Sequence, residues 1–237
     1  MPPPAPCEIE IAETICFAAG TLTLEGRLHY PESGVPLGGV VIAGPHPLLG
    51  GDMDNNVVSA VASGLARRGC VVLTFNYRMS CTSATDNTEI AARLTEFWTT
   101  SHVADEADHL DDLRFAVEAM REYVGNKLPV ALVGYSFGCS LLARTEIEPG
   151  APVVMIAPTV GTHDYSAFAR RTNPILVVAA DTDFATDGEQ LTKWFATLLA
   201  PKRLLRGQWD DHFFRGFEEE IAAMVFGFLR EQWECVG

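Results

Sequence analysis

The chain has little lysine, no membrane-length apolar run and no paired cysteine motif. Of its 17 basic residues 3 are lysine, against 31 acidic residues, for a net charge of −14 over 237 residues. A chain this acidic repels phosphate backbones. Its densest basic clusters, Arg67-Arg68, Arg170-Arg171 and Lys202-Arg203, are only pairs, so nucleic acid is not expected as a partner. No apolar run reaches the ~18 residues of a membrane span. The first ten residues, MPPPAPCEIE, lack the charged and apolar regions of a secretory signal. The six cysteines, at 7, 16, 70, 81, 139 and 235, form no CxxC and hold no zinc-ligand spacing with a histidine. Reduced thiols in a cytoplasm are expected, with Cys70 and Cys139 inside apolar segments as small hydrophobes. Repeats and low-complexity tracts are absent beyond the proline-rich start. At 48% hydrophobic and 20% charged residues the composition is globular, and the length suits one domain, 1–237.

What is present is a series of short runs rich in valine, isoleucine and leucine: residues 40–43, 71–75, 130–133, 153–156 and 175–179. Each is apolar on both faces, so each predicts a strand buried on both sides, the mark of a parallel sheet covered by helices. Upstream, residues 8–17 and 21–30 alternate and predict an antiparallel hairpin, and Leu204-Leu205 marks a last strand. Helical periodicity over 55–68, 104–124, 137–144, 189–199 and 217–233 fills the intervals. The expected fold is α/β, a mostly parallel sheet of about eight strands with helices on both faces. The strand C-termini then share one edge, where sites form.

The strongest chemical signal is Gly134-Tyr135-Ser136-Phe137-Gly138, lying between a predicted strand and a predicted helix. A serine there is pushed to the sheet edge beside a helix N-terminus; the plainer alternative is an ordinary helix N-cap. A serine nucleophile needs a base. Of six histidines, His212 is favoured, because it follows the last strand and opens on the same edge; His163 is a possible pocket wall. The base needs an orienting carboxylate. Asp181 and Asp183 both leave the 175–179 strand, and Asp183, deeper in the loop, is favoured. The oxyanion hole needs two backbone N–H groups. Phe137 supplies one; the loop from Gly44 to Gly51 supplies the other. Its prolines 45 and 47 cannot donate, which leaves His46 or Leu48, with His46 favoured.

These motifs resemble the α/β-hydrolase superfamily over nearly the whole chain, in particular the bacterial branch related to dienelactone hydrolases. Its oxyanion loop reads H-P-H-P-x-x-G-G-x-M-x-N; here residues 44–55 read GPHPLLGGDMDN, with glycine for the first histidine. The elbow GYSFG and the late DHFF match the same branch. The resemblance implies an α/β-hydrolase fold and a triad of Ser136, Asp183 and His212. One departure follows Arg78, where Met79-Ser80-Cys81-Thr82-Ser83 leads into an insert, 79–103, instead of a short glycine-rich loop. Its helical stripe of Ile90, Leu94, Phe97 and Trp98 predicts either a packed surface helix or a small lid. The 15 residues after Pro158 cannot hold a large cap domain. Leu48, Tyr135, Arg78, Phe97, Trp98 and Phe213 are expected to line the substrate pocket.

The expected activity is hydrolysis of a neutral, modest-sized carboxylic ester, thioester or lactone without cofactor or metal. Acyl transfer by the same triad, or a binding protein that has lost catalysis, are the competing classes. Metal-dependent hydrolysis through Asp52, Asp54 and His46 is the weakest; helix-start carboxylates explain those acids more simply.

Overall fold

The computed structural model describes residues 9–78, 87–100, 106–125, 127–199, 201–209 and 211–235. Eight strands form one sheet: β1 Glu10–Ala19, β2 Leu22–Pro31, β3 Gly38–Ala43, β4 Cys70–Phe75, β5 Val130–Tyr135, β6 Val153–Ile156, β7 Ile175–Ala180 and β8 Lys202–Gly207. Their order is β1-β2-β4-β3-β5-β6-β7-β8. β1 pairs antiparallel with β2, and β2 antiparallel with β4; all other pairs are parallel. Gly20, at φ 66°, turns the first hairpin.

The sheet has two apolar faces because strand side chains alternate. Val41 and Ala43 join a core with Leu113 and Met120 of α3 (Glu106–Val124), Leu141 of α4 (Phe137–Arg144) and Leu191 of α5 (Gly188–Thr197). Val40 and Ile42 point the other way, onto Val58, Val61 and Leu65 of α1 (Asn56–Ala66) and Ile221 and Val225 of α6 (Glu218–Glu234). Each buried valine, leucine, isoleucine or methionine side chain among them contributes roughly 1.5–3 kcal/mol. β8, at the sheet edge, is only partly buried, and it carries Lys202, Arg203 and Arg206.

Helix α1 starts where Asn55 Oδ1 accepts from the Val57 and Val58 N–H groups. The preceding acids do other work. Asp54 pairs with Arg27, and Asp52 Oδ1 accepts the Asp54 N–H at 2.9 Å. Among the described residues no three His, Cys, Asp or Glu side chains cluster as metal ligands, and no helix is long and apolar enough to cross a membrane. Cys16, Cys70, Cys139 and Cys235 are free thiols. Between β6 and β7 the chain adds only a 3-10 turn, Ser166–Arg170, and no cap domain.

Of the insert, residues 87–100 form helix α2, Asn87–Thr100. Residues 79–86 and 101–105, and the side chains of Ile90, Leu94 and Phe97, lie outside the described residues, and with them most of the expected stripe. Trp98 is 76% exposed, so it is not a core residue.

Candidate active site

Ser136 sits between β5 and α4 at φ 55° and ψ −118°, a backbone conformation that costs an ordinary residue on the order of 1–3 kcal/mol. Two backbone bonds hold it there. The Ser136 N–H donates to Ile156 O at 2.9 Å, and the Cys139 N–H donates to Ser136 O at 3.0 Å. The flanking glycines are required by contact. A Cβ on Gly134 would come 2.7 Å from Cys139 N, and one on Gly138 would come 2.0 Å from Ala43 O. Ser136 lies at the N-cap position of α4, but its side chain makes no cap hydrogen bond. The hydroxyl faces His212 instead, with Oγ 2.9 Å from Nε2.

On the far side of the imidazole, His212 Nδ1 lies 2.9 Å from both Oδ1 and Oδ2 of Asp183. A carboxylate in that position keeps the proton on Nδ1 and leaves Nε2 to accept from the serine. The Asp183 side chain is 1% exposed. Its oxygens also accept from the Ala185 N–H at 2.8 Å and the Thr186 hydroxyl at 3.3 Å, which fixes its orientation. Asp181 turns outward, 45% exposed, 3.4 Å from Arg206 Nε. Of the two acids weighed from the sequence, only Asp183 reaches the histidine.

The loop bearing His212 is pinned from three directions. Tyr135, the last residue of β5, donates its hydroxyl to His212 O at 3.1 Å. Burial first, then the charge of Asp183, pushes that phenol's pKa up, so it remains a donor. Phe214 is fully buried against Trp209, and Asn56 donates to Phe213 O at 2.9 Å.

Opposite lies the 44–51 loop. The Leu48 N–H donates to His46 Nδ1 at 3.2 Å within a 3-10 turn, Pro47–Leu49. That bond occupies Leu48, which the sequence left as an alternative oxyanion donor. His46 packs its ring 4.4 Å from that of Phe137, which brings the two backbone segments together. Burial first, then His109 and His163, pull the His46 pKa from 6.5 to about 3, so its imidazole is neutral. Phe137 is the first residue of α4, and its N–H has no acceptor within the helix.

A cavity of about 320 Å³ opens over Ser136 and His212. Tyr135, Trp98 and Phe213 line it as expected from the sequence. Leu48 and Arg78 do not. The 3-10 turn directs Leu49 to the cavity in place of Leu48. Arg78 is drawn away by Asp112 of α3, whose fully buried carboxylate binds its Nε at 2.9 Å and Nη2 at 2.6 Å. Burial pushes the Asp112 pKa up, but bonds from His109 and Arg78 outweigh it and leave the acid ionised. Sequence reasoning assigned no place to Thr159, Thr162 or Phe184, which also line the cavity, and His163 is indeed a wall, its Nδ1 2.8 Å from Thr159 Oγ1. For Phe184 a signal existed: an aromatic side chain directly after the favoured acid.

No protein-family model and no curated protein matches the chain. Solved structures do. An α/β serine hydrolase without a lid from Xanthomonas campestris superposes with a TM-score of 0.75 at 24% identity, over 93% of this chain and 94% of that one. An α/β serine hydrolase homologue from Coxiella burnetii gives 0.71 at 24%, over 92% and 96%. A dienelactone hydrolase from Anabaena variabilis gives 0.72 at 17%, over 94% and 98%. The fold is therefore the α/β-hydrolase fold, shared with serine hydrolases and dienelactone hydrolases.

Proposed function

We propose that the protein is a serine hydrolase that cleaves a carboxylic ester, thioester or lactone through an acyl-enzyme on Ser136. The observation that carries this reading is the unbroken relay from Asp183 through His212 to Ser136, with both gaps 2.9 Å, at the floor of a cavity. In this reading Ser136 Oγ attacks the carbonyl carbon while His212 Nε2 takes its proton. Asp183 stabilises the resulting imidazolium and holds its orientation. The tetrahedral oxyanion is met by the N–H groups of Phe137 and His46, with the α4 N-terminus adding favourable dipole charge. His212 then returns the proton to the leaving group, and water, activated by the same imidazole, clears the acyl-enzyme.

The whole chain is read as one α/β-hydrolase domain, and the 79–103 insert as a small lid. Trp98 supports the lid reading: it lines the cavity yet is three-quarters exposed, which suits a rim better than a packed helix face.

The test is a panel of p-nitrophenyl esters and acyl thioesters with Ser136→Ala and His212→Ala. Each variant should lose about 10⁴-fold in turnover, because triad members act as a unit. Near-wild-type turnover in either, or no labelling of Ser136 by an organophosphonate, refutes the reading.

A further inference from the structure

The cavity wall differs from one direction to another, and the reaction geometry says what each direction must hold. If Ser136, His212 and Asp183 act as proposed, the leaving oxygen must come within hydrogen-bond reach of His212 Nε2 to receive its proton. The oxyanion points to Phe137 and His46, and the acyl group takes the remaining direction. Whatever flanks the His212 ring therefore flanks the departing alcohol.

Three aromatic rings do so. Tyr135, its ring 5.6 Å from the imidazole, is buried at the sheet edge and gives its hydroxyl to His212 O at 3.1 Å, and two phenyl rings remain. Phe184 lies 5.1 Å from the His212 ring, centroid to centroid, and Phe213 lies 5.7 Å from it. The two phenyl rings are 6.0 Å apart and tilted by 42°, and both line the cavity. Phe213 is held in place by its backbone bond to Asn56 and by the Arg215 guanidinium, 4.6 Å from the ring centroid. Phe184 is different: it is 75% exposed, and so contributes little to the core. An exposed phenylalanine beside the proposed catalytic acid is costly to display and gains apolar contact only when something covers it.

The charge of the wall points the same way. All 17 lysine and arginine residues fall within the described residues, and none lines the cavity. Among the described residues no aspartate or glutamate lines it either, since the Asp183 carboxylate is turned onto His212. Arg215 itself is paired with Asp211 at 3.0 Å. A substrate carboxylate would be desolvated there without a cation to meet it, in a protein of net charge −14.

We infer that Phe184 and Phe213 form the leaving-group subsite, and that it selects esters of uncharged, flat, apolar alcohols such as benzyl or aryl alcohols. This rests on the serine-hydrolase reading. A cavity of about 320 Å³ holds roughly ten water-sized groups, enough for one ring and a short acyl chain.

The experiment compares kcat/KM for benzyl acetate, methyl acetate, methyl phenylacetate and 4-carboxybenzyl acetate in the wild type, Phe184→Ala and Phe184→Leu, with melting temperatures measured alongside. The benzyl-to-methyl acetate ratio should fall about tenfold in Phe184→Ala, the scale of one lost ring contact, and less in Phe184→Leu. The methyl phenylacetate-to-methyl acetate ratio should stay within about twofold, since it varies only the acyl group. In the wild type, 4-carboxybenzyl acetate should be at least about tenfold poorer than benzyl acetate. Ser136-dependent turnover with an unmoved benzyl ratio, with a shift in the acyl ratio instead, or with equal use of the carboxylated ester overturns the subsite alone. No Ser136-dependent turnover of any ester overturns the hydrolase reading and the subsite with it.

Discussion

Replacing Asp183 by asparagine removes one charge and almost nothing else. Asparagine has the same shape, its Oδ1 can still accept the Ala185 N–H, and the side chain is buried to within 1%, so the loop should keep its course. In the proposed mechanism, what is lost is the attraction between the carboxylate and the imidazolium that forms as Ser136 attacks. Both carboxylate oxygens lie 2.9 Å from Nδ1. At an effective dielectric of about 20 that separation corresponds to roughly 5–6 kcal/mol. At 1.36 kcal/mol per decade this is a loss of about 10⁴-fold in kcat. An amide can also present its NH₂ to Nδ1, which forces the proton onto Nε2 and disables the base. Asp181→Asn is the matched control: its partner is Arg206 at 3.4 Å in a half-exposed pair, a contact worth under about 1 kcal/mol, so kcat should change less than about threefold. Initial rates on a soluble short-chain ester decide the matter, with melting curves to verify folding. If Asp181→Asn costs as much as Asp183→Asn, or Asp183→Asn loses less than about tenfold, the assignment of the acid is wrong.

Two further outcomes are expected. Trp98→Ala should lower kcat/KM for bulky apolar esters about tenfold while changing acetate esters and the melting temperature little; a uniform loss across ester sizes with a drop in stability would make α2 a structural helix. His46, whose folded pKa of about 3 lies below its unfolded value of 6.5, contributes its full stability above pH 6.5 and loses it as pH falls toward 3. By pH 4.5 the wild type should have lost roughly 3 kcal/mol more than His46→Asn does over the same interval, and parallel pH–stability curves from denaturant titration would contradict the neutral, buried imidazole.

The central strands were legible because burial on both faces leaves the runs apolar but for Thr74: β6 was placed at 153–156 and is Val153–Ile156. The hairpin showed through its alternation, and Ser136 through two glycines between a strand and a helix. Other features depend on contacts far apart in sequence. Nothing around Arg78 announces Asp112, 34 residues away, so a residue leaving a strand end was assigned to the pocket although an ion pair holds it elsewhere. Leu48 and Leu49 are chemically alike, and the choice between them turns on a 3-10 turn whose His46 cap is a side-chain bond over two residues. Strand order is of the same kind: that β2 lies beside β4 and not β3 follows from the packing of the whole sheet.

The proposed oxyanion loop and nucleophile come from segments about ninety residues apart, and in the proposed mechanism they must agree to within a fraction of an ångström to stabilise one transient charge. The agreement is built into the sheet. β3 and β5 are neighbours, with Ala43 in register with Gly134, so the strand that ends in the loop and the strand that ends in Ser136 stop side by side. Gly138 then lets the first turn of α4 settle against Ala43 O, an approach that a single Cβ would block at 2.0 Å. From the next strand over, the Tyr77 hydroxyl donates to Gly44 O at 3.2 Å and Asn76 Oδ1 accepts the Met53 N–H at 3.0 Å, so β4 braces the loop at both ends. The strain stored at Ser136 and the placement of the His46 and Phe137 backbones are thus consequences of one packing arrangement. That arrangement explains why the elbow needs glycine at 138 as firmly as the proposed chemistry needs serine at 136.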